Sequence, residues 1–325
     1  MKKVFLLIFA FSFCCSLTVK DKIYDGHAED YVIYEQNRSV LALVVHHLSD
    51  ERLTIEEIST SAGNKPAHMS WKTWLEQGAP GHTSWLIYDL DPQTGSLIDA
   101  YSFSKGCYVS LDDQAPMTAI LLKAHLNPIP DSLRKRVGAK PSAVTLATRA
   151  IWNPPLFFEG KKEKKSLLAY ATAWPDDGSE LSKKDLTLYY GENFPFPHWI
   201  EISQDHKLRA IDSGHTLNMA LRKVPVRKPL ITNILKTSSG WEFHIENPSR
   251  LGDFALFALD TTHHERETLP LEIQKVEIIG KMTILYVDAK TIEMSLRQGH
   301  DYTWMTLSEQ APTLLCESSQ KISWN

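Results

Sequence analysis

Two runs with strand periodicity, Thr83 to Leu90 and Ser96 to Phe103, are separated only by Asp91-Pro92-Gln93-Thr94-Gly95, and no other stretch restricts the fold of this chain as strongly. Pro92 presets φ for a type I turn, and Gly95 can take the left-handed position that rejoins the strands. In the first run Trp85 and Ile87 alternate with Leu86, Tyr88 and Leu90, so both faces are apolar and the strand is expected to be buried. In the second run Leu97, Tyr101 and Phe103 share one side, with Asp99 as the polar exception. Upstream, Ser70 can cap a short helix whose Trp71, Trp74 and Leu75 fall on one face, and Gly78 stops it.

The same reading extends in both directions. Lys20 to Asp30 is a polar leader; Tyr31 to Glu35, Val40 to Val45 and Leu53 to Ser59 read as strands. Pro116 starts a helix with the stripe Met117, Ile120, Leu121 and Ala124, which Asn127-Pro128 ends. From Val144 onward come short strands between strong turn signals: Val144 to Trp152, Leu167 to Ala173, Leu186 to Tyr190, Trp199 to Ile202 and Leu208 to Ile211. With 325 residues the chain exceeds what one core usually serves. The expected fold is mainly β with a few short helices: an α+β N-terminal domain over 20–137, an all-β middle domain over 142–224 and an all-β C-terminal domain over 229–325. Gly138 to Pro141 marks the first boundary, and Val224-Pro225-Val226-Arg227-Lys228-Pro229 forms a stiff linker at the second.

Beyond Pro229 the candidate strands are Leu230 to Leu235, Trp241 to Glu246, Phe254 to Leu259, Leu271 to Ile278, Met282 to Val287 and Tyr302 to Leu307. Together with Leu296-Arg297-Gln298-Gly299-His300-Asp301-Tyr302, this segment resembles a fibronectin type III or immunoglobulin-like sandwich. The resemblance implies a tyrosine corner in which Gly299 permits the turn and the Tyr302 hydroxyl bonds back to the backbone. No proline precedes Gly299 and no cysteine pair spans the sheets, so the resemblance stops short of those features.

Met1-Lys2-Lys3 followed by the apolar run Val4 to Phe13 reads as a secretory signal over residues 1–16, cleaved after Ser16. The run is too short to span a bilayer, and the chain as a whole looks like an exported bacterial protein. Cys14 and Cys15 raise lipid anchoring as an alternative, although Phe13 or Cys14 stands where a lipoprotein box requires a small residue. Cleavage leaves Cys107 and Cys316, for which a disulfide or two separate buried thiols are both allowed.

Chemistry-bearing motifs are sparse. His46-His47 on a strand would point to opposite faces, and His263-His264 lies in a polar stretch, so no metal site and no cofactor is expected. Asp212-Ser213-Gly214-His215 lacks the glycines of a serine-hydrolase signature and is explained by a turn after a strand. Arg134-Lys135-Arg136 and Lys161 to Lys165 are the notable basic clusters; the formal net charge of −4 gives no reason to expect nucleic acid. Phe194-Pro195-Phe196-Pro197-His198-Trp199 concentrates aromatic groups in a proline loop, and Phe194, Phe196 and Trp199 are the candidate contact surface. The expectation is an envelope-associated binding or scaffolding protein, periplasmic or extracellular, whose partner is an envelope protein, a glycan or a lipid surface. A hydrolase with a site assembled from separated His, Asp and Cys residues, and a lipid-anchored component, are the alternatives.

Overall fold

The computed structural model describes residues 17–324 apart from 110, 112–114, 139–148, 204–205, 216–217, 219–229, 247–253, 263–266, 281, 309–310 and 318–321. The elements up to residue 214 are α1 (Val19–Tyr24), β1 (Tyr31–Gln36), β2 (Ser39–Leu48), β3 (Leu53–Ser61), α2 (Trp71–Glu76), β4 (Ser84–Leu90), β5 (Leu97–Ser102), β6 (Cys107–Tyr108), α3 (Met117–Leu121), β7 (Asn127–Pro128), β8 (Arg136–Val137), β9 (Ala150–Ile151), β10 (Leu156–Phe158), β11 (Lys161–Glu163), β12 (Leu168–Ala173), β13 (Asp185–Tyr190), β14 (Pro197–Ile202) and β15 (His206–Gly214). One 11-stranded sheet has the order β6-β5-β4-β3-β2-β1-β15-β14-β13-β12-β7.

That order corrects the expected division near residues 138–142. β15 pairs with β1 from Tyr31↔Gly214 to Glu35↔Arg209, so the segments 20–137 and 142–224 contribute to one sheet rather than to two domains. They also share a core. Val32, Tyr34 and Leu43 from β1 and β2 cluster with Leu188, Tyr190 and Ile200 from β13 and β14, and with Val19 and Ile23 of α1 and Leu121 of α3. The first sheet face therefore curls around α1 and α3. The opposite face of β1 and β2, carrying Tyr31, Ile33, Val40, Ala42 and Val44, packs with Trp74 and Leu75 of α2. Of the turn signal at Gly138 to Pro141 only Gly138 is described, directly after β8, and the pairing of β15 with β1 outweighs it.

The central hairpin follows its sequence. Ser70 accepts the Thr73 N–H at 3.0 Å and caps α2, and Gly78 follows with φ 77°. Asp91 Oδ1 accepts the N–H groups of Gln93 and Thr94 at 2.7 and 3.2 Å, and Gly95 has φ 73°. Trp85 packs toward α2, while Tyr88 and Leu90 join the core around α1 and α3, which gives β4 its two apolar faces. The leader departs from expectation. Thr18 and Asp21 form a reciprocal capping box that starts α1, and Val19 and Ile23 are buried. Two apolar residues four apart suffice to seat one turn and a half of helix.

The remaining elements are β16 (Leu230–Lys236), β17 (Gly240–Glu246), β18 (Phe254–Asp260), β19 (Glu267–Leu271), β20 (Lys275–Ile279), β21 (Met282–Asp288), α4 (Ala289–Ser295), β22 (His300–Ser308), β23 (Ala311–Glu317) and β24 (Ile322–Trp324). They form a sheet of order β16-β17-β21-β20 and a second of order β19-β18-β22-β23, with β24 also on β22. Phe243 and Leu285 from the first pack with Leu256 and Trp304 from the second; the Phe243 and Trp304 ring centroids are 4.9 Å apart. Leu271 to Ile278, expected as one strand, is two. β19 pairs β18 and β20 pairs β21, and Glu272-Ile273-Gln274, with Ile273 packed against the core, carries the chain from one sheet to the other. The proline linker 224–229 lies outside the described residues. Cys107 stands in β6 and Cys316 in β23, strands whose Cα atoms approach within 8 Å. Their side chains lie outside the described residues, as does the signal segment 1–16.

Candidate functional site

The aromatic-proline loop is not a surface. Phe194 and Phe196 are each 3% exposed, a correction to the expected contact patch. The loop is tied down at three points. The Tyr34 hydroxyl donates to the Pro197 carbonyl at 2.6 Å, the Phe194 ring stacks on His198 at 4.8 Å, and Pro195 lies so close to Gly26 that a Cβ there would meet its Cδ at 2.5 Å. His198 is buried, its Nδ1 has no partner, and burial pushes its pKa down to about 3. Trp199 is half-buried. Its ring meets Trp152 edge-on at 5.5 Å and its Nε1 donates to Glu201 at 3.1 Å.

Asp212, Ser213 and His215 do not form a relay. The Ser213 hydroxyl donates to the Phe157 carbonyl at 2.6 Å, and Asp212 Oδ1 accepts the N–H groups of Gly160 and Ser213 at 2.9 and 3.0 Å. Burial raises the Asp212 pKa against those hydrogen bonds. His215 pairs through Nδ1 with a different carboxylate, the buried Asp30, which also accepts the His27 N–H at 2.9 Å. These groups tie the start of β1 to the end of β15. His47 is exposed and His46 half-buried, and His263 and His264 lie outside the described residues. Among the described residues no group of three or more His, Cys, Asp or Glu is arranged to hold a metal ion.

Most of the first basic cluster is engaged internally. Arg134 donates to Asn153 at 2.6 Å, Arg136 donates to the Arg149 and Asp131 carbonyls, and Lys135 lies 4.7 Å from the Trp152 ring centroid. Lys161, Lys162, Lys164 and Lys165 are exposed.

A concavity that no sequence motif marks opens at the β12 end of the large sheet. β12 pairs along its whole length with β13, but on its other side β7 reaches only Tyr170 and Ala171. Ile129 N–H donates to the Ala169 carbonyl on the β7 side, whereas Trp174 N–H donates to Lys184 on the β13 side. Alternation along the strand therefore turns the backbone of Ala173 toward the side where β7 has ended. A groove of about 710 Å³ lies there, walled by Thr172, Ala173, Trp174 and Asp185 on one flank and by Ile120, Lys123, His125 and Asn127 on the other. Lys123, His125 and Asp185 are exposed, and Trp174, fixed by an Nε1 hydrogen bond to Asp177 at 2.8 Å, forms a rigid apolar end. The volume falls within the roughly 300–1,000 Å³ of small-ligand sites. Propensity alone could not have revealed this site, because it arises from β7 being two residues long.

Among the described residues no helix is long and apolar enough to cross a membrane. Residues 41–164, fewer than half of the 325, match the family model described as CT021 protein. A solved structure of the hypothetical protein CT021 from Chlamydia trachomatis is similar at 17% identity, with a TM-score of 0.46, over 66% of this chain and 100% of that chain. No curated protein matches the sequence.

Proposed function

We propose that this chain is an exported, envelope-associated binding or scaffolding protein, and that an extended segment of its partner adds to the free end of β12 as a further strand. The observation that carries the reading is the groove of about 710 Å³ running beside an unpaired strand end. Strand addition supplies main-chain hydrogen bonds for affinity, and flanking pockets select alternate side chains. Lys123 on one wall and Asp185 on the other offer opposite charges to such a segment. Export is supported by the Lys2-Lys3 and Val4 to Phe13 pattern. The C-terminal unit is proposed as an immunoglobulin or fibronectin type III-like module. Its two four-strand paths, β16-β17-β21-β20 and β19-β18-β22-β23, and the Tyr302 hydroxyl accepting the Arg297 N–H at 2.8 Å support that reading. A Cys107–Cys316 bridge remains part of the proposal, supported by the approach of β6 to β23.

Selection of binding segments from a displayed random-peptide library tests the groove. Selected peptides should protect the Ala173 amide from hydrogen exchange and lose affinity on Ala173→Pro, a change tolerated at a free strand edge because the lost N–H has no partner there. Binding that ignores Ala173→Pro and Asp185→Lys would assign recognition to another surface. The bridge is checked by alkylation under non-reducing conditions, where both cysteines should resist modification until reductant is added.

A further inference from the structure

The ends of the sheets differ in how they are closed to other strands. β6 and β7 are two residues long, and β7 contains Pro128, so neither is itself a template, although β12 stays open where β7 ends. β16 carries a register shift between Ile231 and Asn233, and β19 contains Pro270. Short strands, prolines and bulges are the usual means by which an edge is made a poor template. β20 has none of them. It pairs β21 in continuous register from Lys275↔Tyr286 to Ile279↔Met282, and among the described residues no strand lies on its other side. Its apolar side chains are also uncovered: Val276 is 40% exposed, Ile278 70% and Ile279 52%. An unpaired edge that exposes three apolar side chains beside Lys275 and Glu277 is a template for another strand.

The side chains on β20 indicate which partner fits. Lys275 and Glu277 occupy one face, where Lys275 Nζ lies 3.2 Å from Glu277 Oε2, the Tyr286 hydroxyl donates to Glu277 at 2.9 Å, and Lys275 stands 5.1 Å from the Tyr286 ring centroid. Val276 and Ile278 occupy the other face. Two copies of an edge strand that extend one sheet antiparallel are related by a two-fold axis normal to it, so each residue meets one of the same parity. With at least three residues paired, the axis can pass at Val276, Glu277 or Ile278, and centring on Ile278 leaves Glu277 opposite Ile279 with no charge partner. Centring on Glu277 places two carboxylates opposite each other and is repulsive. Centring on Val276 places Lys275 opposite Glu277 of the partner copy twice, and it brings Val276 against its own copy with Ile278 on the diagonal. Opposite charges directly across a ladder are favourable and like charges are not.

We infer that this chain associates with a second copy of itself through antiparallel pairing of β20 edges, in the register centred on Val276. Because among the described residues each copy carries one such edge, the contact is isologous and closes at two subunits. The partner is another copy, rather than an unrelated strand, because the charge pattern complements itself only in that register.

The test uses the full chain, by sedimentation equilibrium across a range of protein concentration. A monomer–dimer equilibrium is expected. Lys275→Glu and Glu277→Lys should each raise the concentration at half-dimerisation by about tenfold, since each places like charges in both cross-strand pairs. The double variant Lys275→Glu/Glu277→Lys should return it to the starting value, a recovery that a folding defect would not produce. Far-UV circular dichroism on each variant confirms that the chain is folded, and Val276→Cys should form a covalent dimer on mild oxidation where Ile278→Cys does not. A full chain that stays monomeric at every concentration would overturn the inference. So would a dimer indifferent to both charge reversals, or one that the double variant fails to restore.

Discussion

β1 buries four consecutive residues, Tyr31 to Tyr34, whereas β17 alternates, burying Trp241, Phe243 and Ile245 and leaving Glu242 and His244 half-covered. The large sheet is thus covered on both faces where β1 and β2 run, by α1 and α3 on one side and α2 on the other. The C-terminal sheets cover one another, and their outer faces are only partly covered, with Ile284 and Leu259 the buried residues there. A sheet enclosed on both sides depends on short, irregular covering pieces, while a pair of facing sheets supplies its own cover. The two regions should therefore differ in which substitutions they feel and in how they respond to acid.

The largest effects are expected from truncation inside either core. Phe196→Ala and Phe243→Ala should each cost about 3–5 kcal/mol, read from the denaturation midpoint, because each removes a buried ring and leaves a cavity. A neutral Phe196→Ala would restore the aromatic-proline loop to the surface and break the comparison at its first step. Along the strands the contrast is sharper. In β1, Val32→Ala and Ile33→Ala face opposite sides, yet both should destabilise, Ile33→Ala by about 2–5 kcal/mol. In β17 the neighbours should diverge, with Glu242→Ala changing stability by no more than about 0.5 kcal/mol.

Acid should separate the two regions next. His198, held neutral in the large-sheet core, has a folded pKa lowered by burial to about 3 from the ordinary histidine value of 6.5. A lowered folded pKa means the unfolded chain takes up the proton first. The His198 contribution is thus full above about pH 6.5 and falls away as the pH drops toward 3, at up to about 1.4 kcal/mol per pH unit. Asp260 is the C-terminal counterpart. Burial alone would raise its pKa, but the Thr262 N–H, the His300 ring and the Thr262 hydroxyl outweigh burial and hold it down to about 2. Its contribution is intact above about pH 3.8 and is lost as the pH falls toward 2. Trp fluorescence and circular dichroism during acid titration should show the large sheet weakening first, and His198→Gln should flatten its response between pH 6.5 and 3. If both regions lost structure together near pH 3, burial of His198 would not be the controlling feature.

What was legible follows the same division. The α2 cap at Ser70, the Asp91 to Gly95 turn, the two-faced β4 and most C-terminal strands were readable because local hydrogen bonding and alternation decide them. The pairing of β15 with β1 was not, since it joins residues about 180 positions apart and no local signal encodes strand order. The Phe194 to Trp199 loop misled for a related reason. Aromatic groups between prolines look like a loop with nothing to bury, and only the curled sheet with Gly26 and Tyr34 beneath them supplies the burial site. The groove beside β12 left no signal either, because it depends on where a neighbouring strand stops.

The smallest effect concerns Tyr302, which is fully buried and whose hydroxyl accepts the Arg297 N–H at 2.8 Å. That bond spans five residues and holds the turn through Gly299, where φ is 81°, against the start of β22. Tyr302→Phe keeps the ring and removes only the acceptor, so it should cost about 0.5–1.5 kcal/mol, with the upper end reached if the Arg297 amide is left unpaired. Tyr302→Ala removes the ring as well and belongs with the core truncations at about 3–5 kcal/mol. The informative quantity is the exchange rate of the Arg297 amide. In Tyr302→Phe it should rise while the amides of β17 and β21 keep their protection, because the turn loosens without opening the sheets. Loss of protection across the whole C-terminal unit would instead make this single hydrogen bond part of what holds the two sheets together, and the idea of a self-covering pair of sheets would need the corner as a third element.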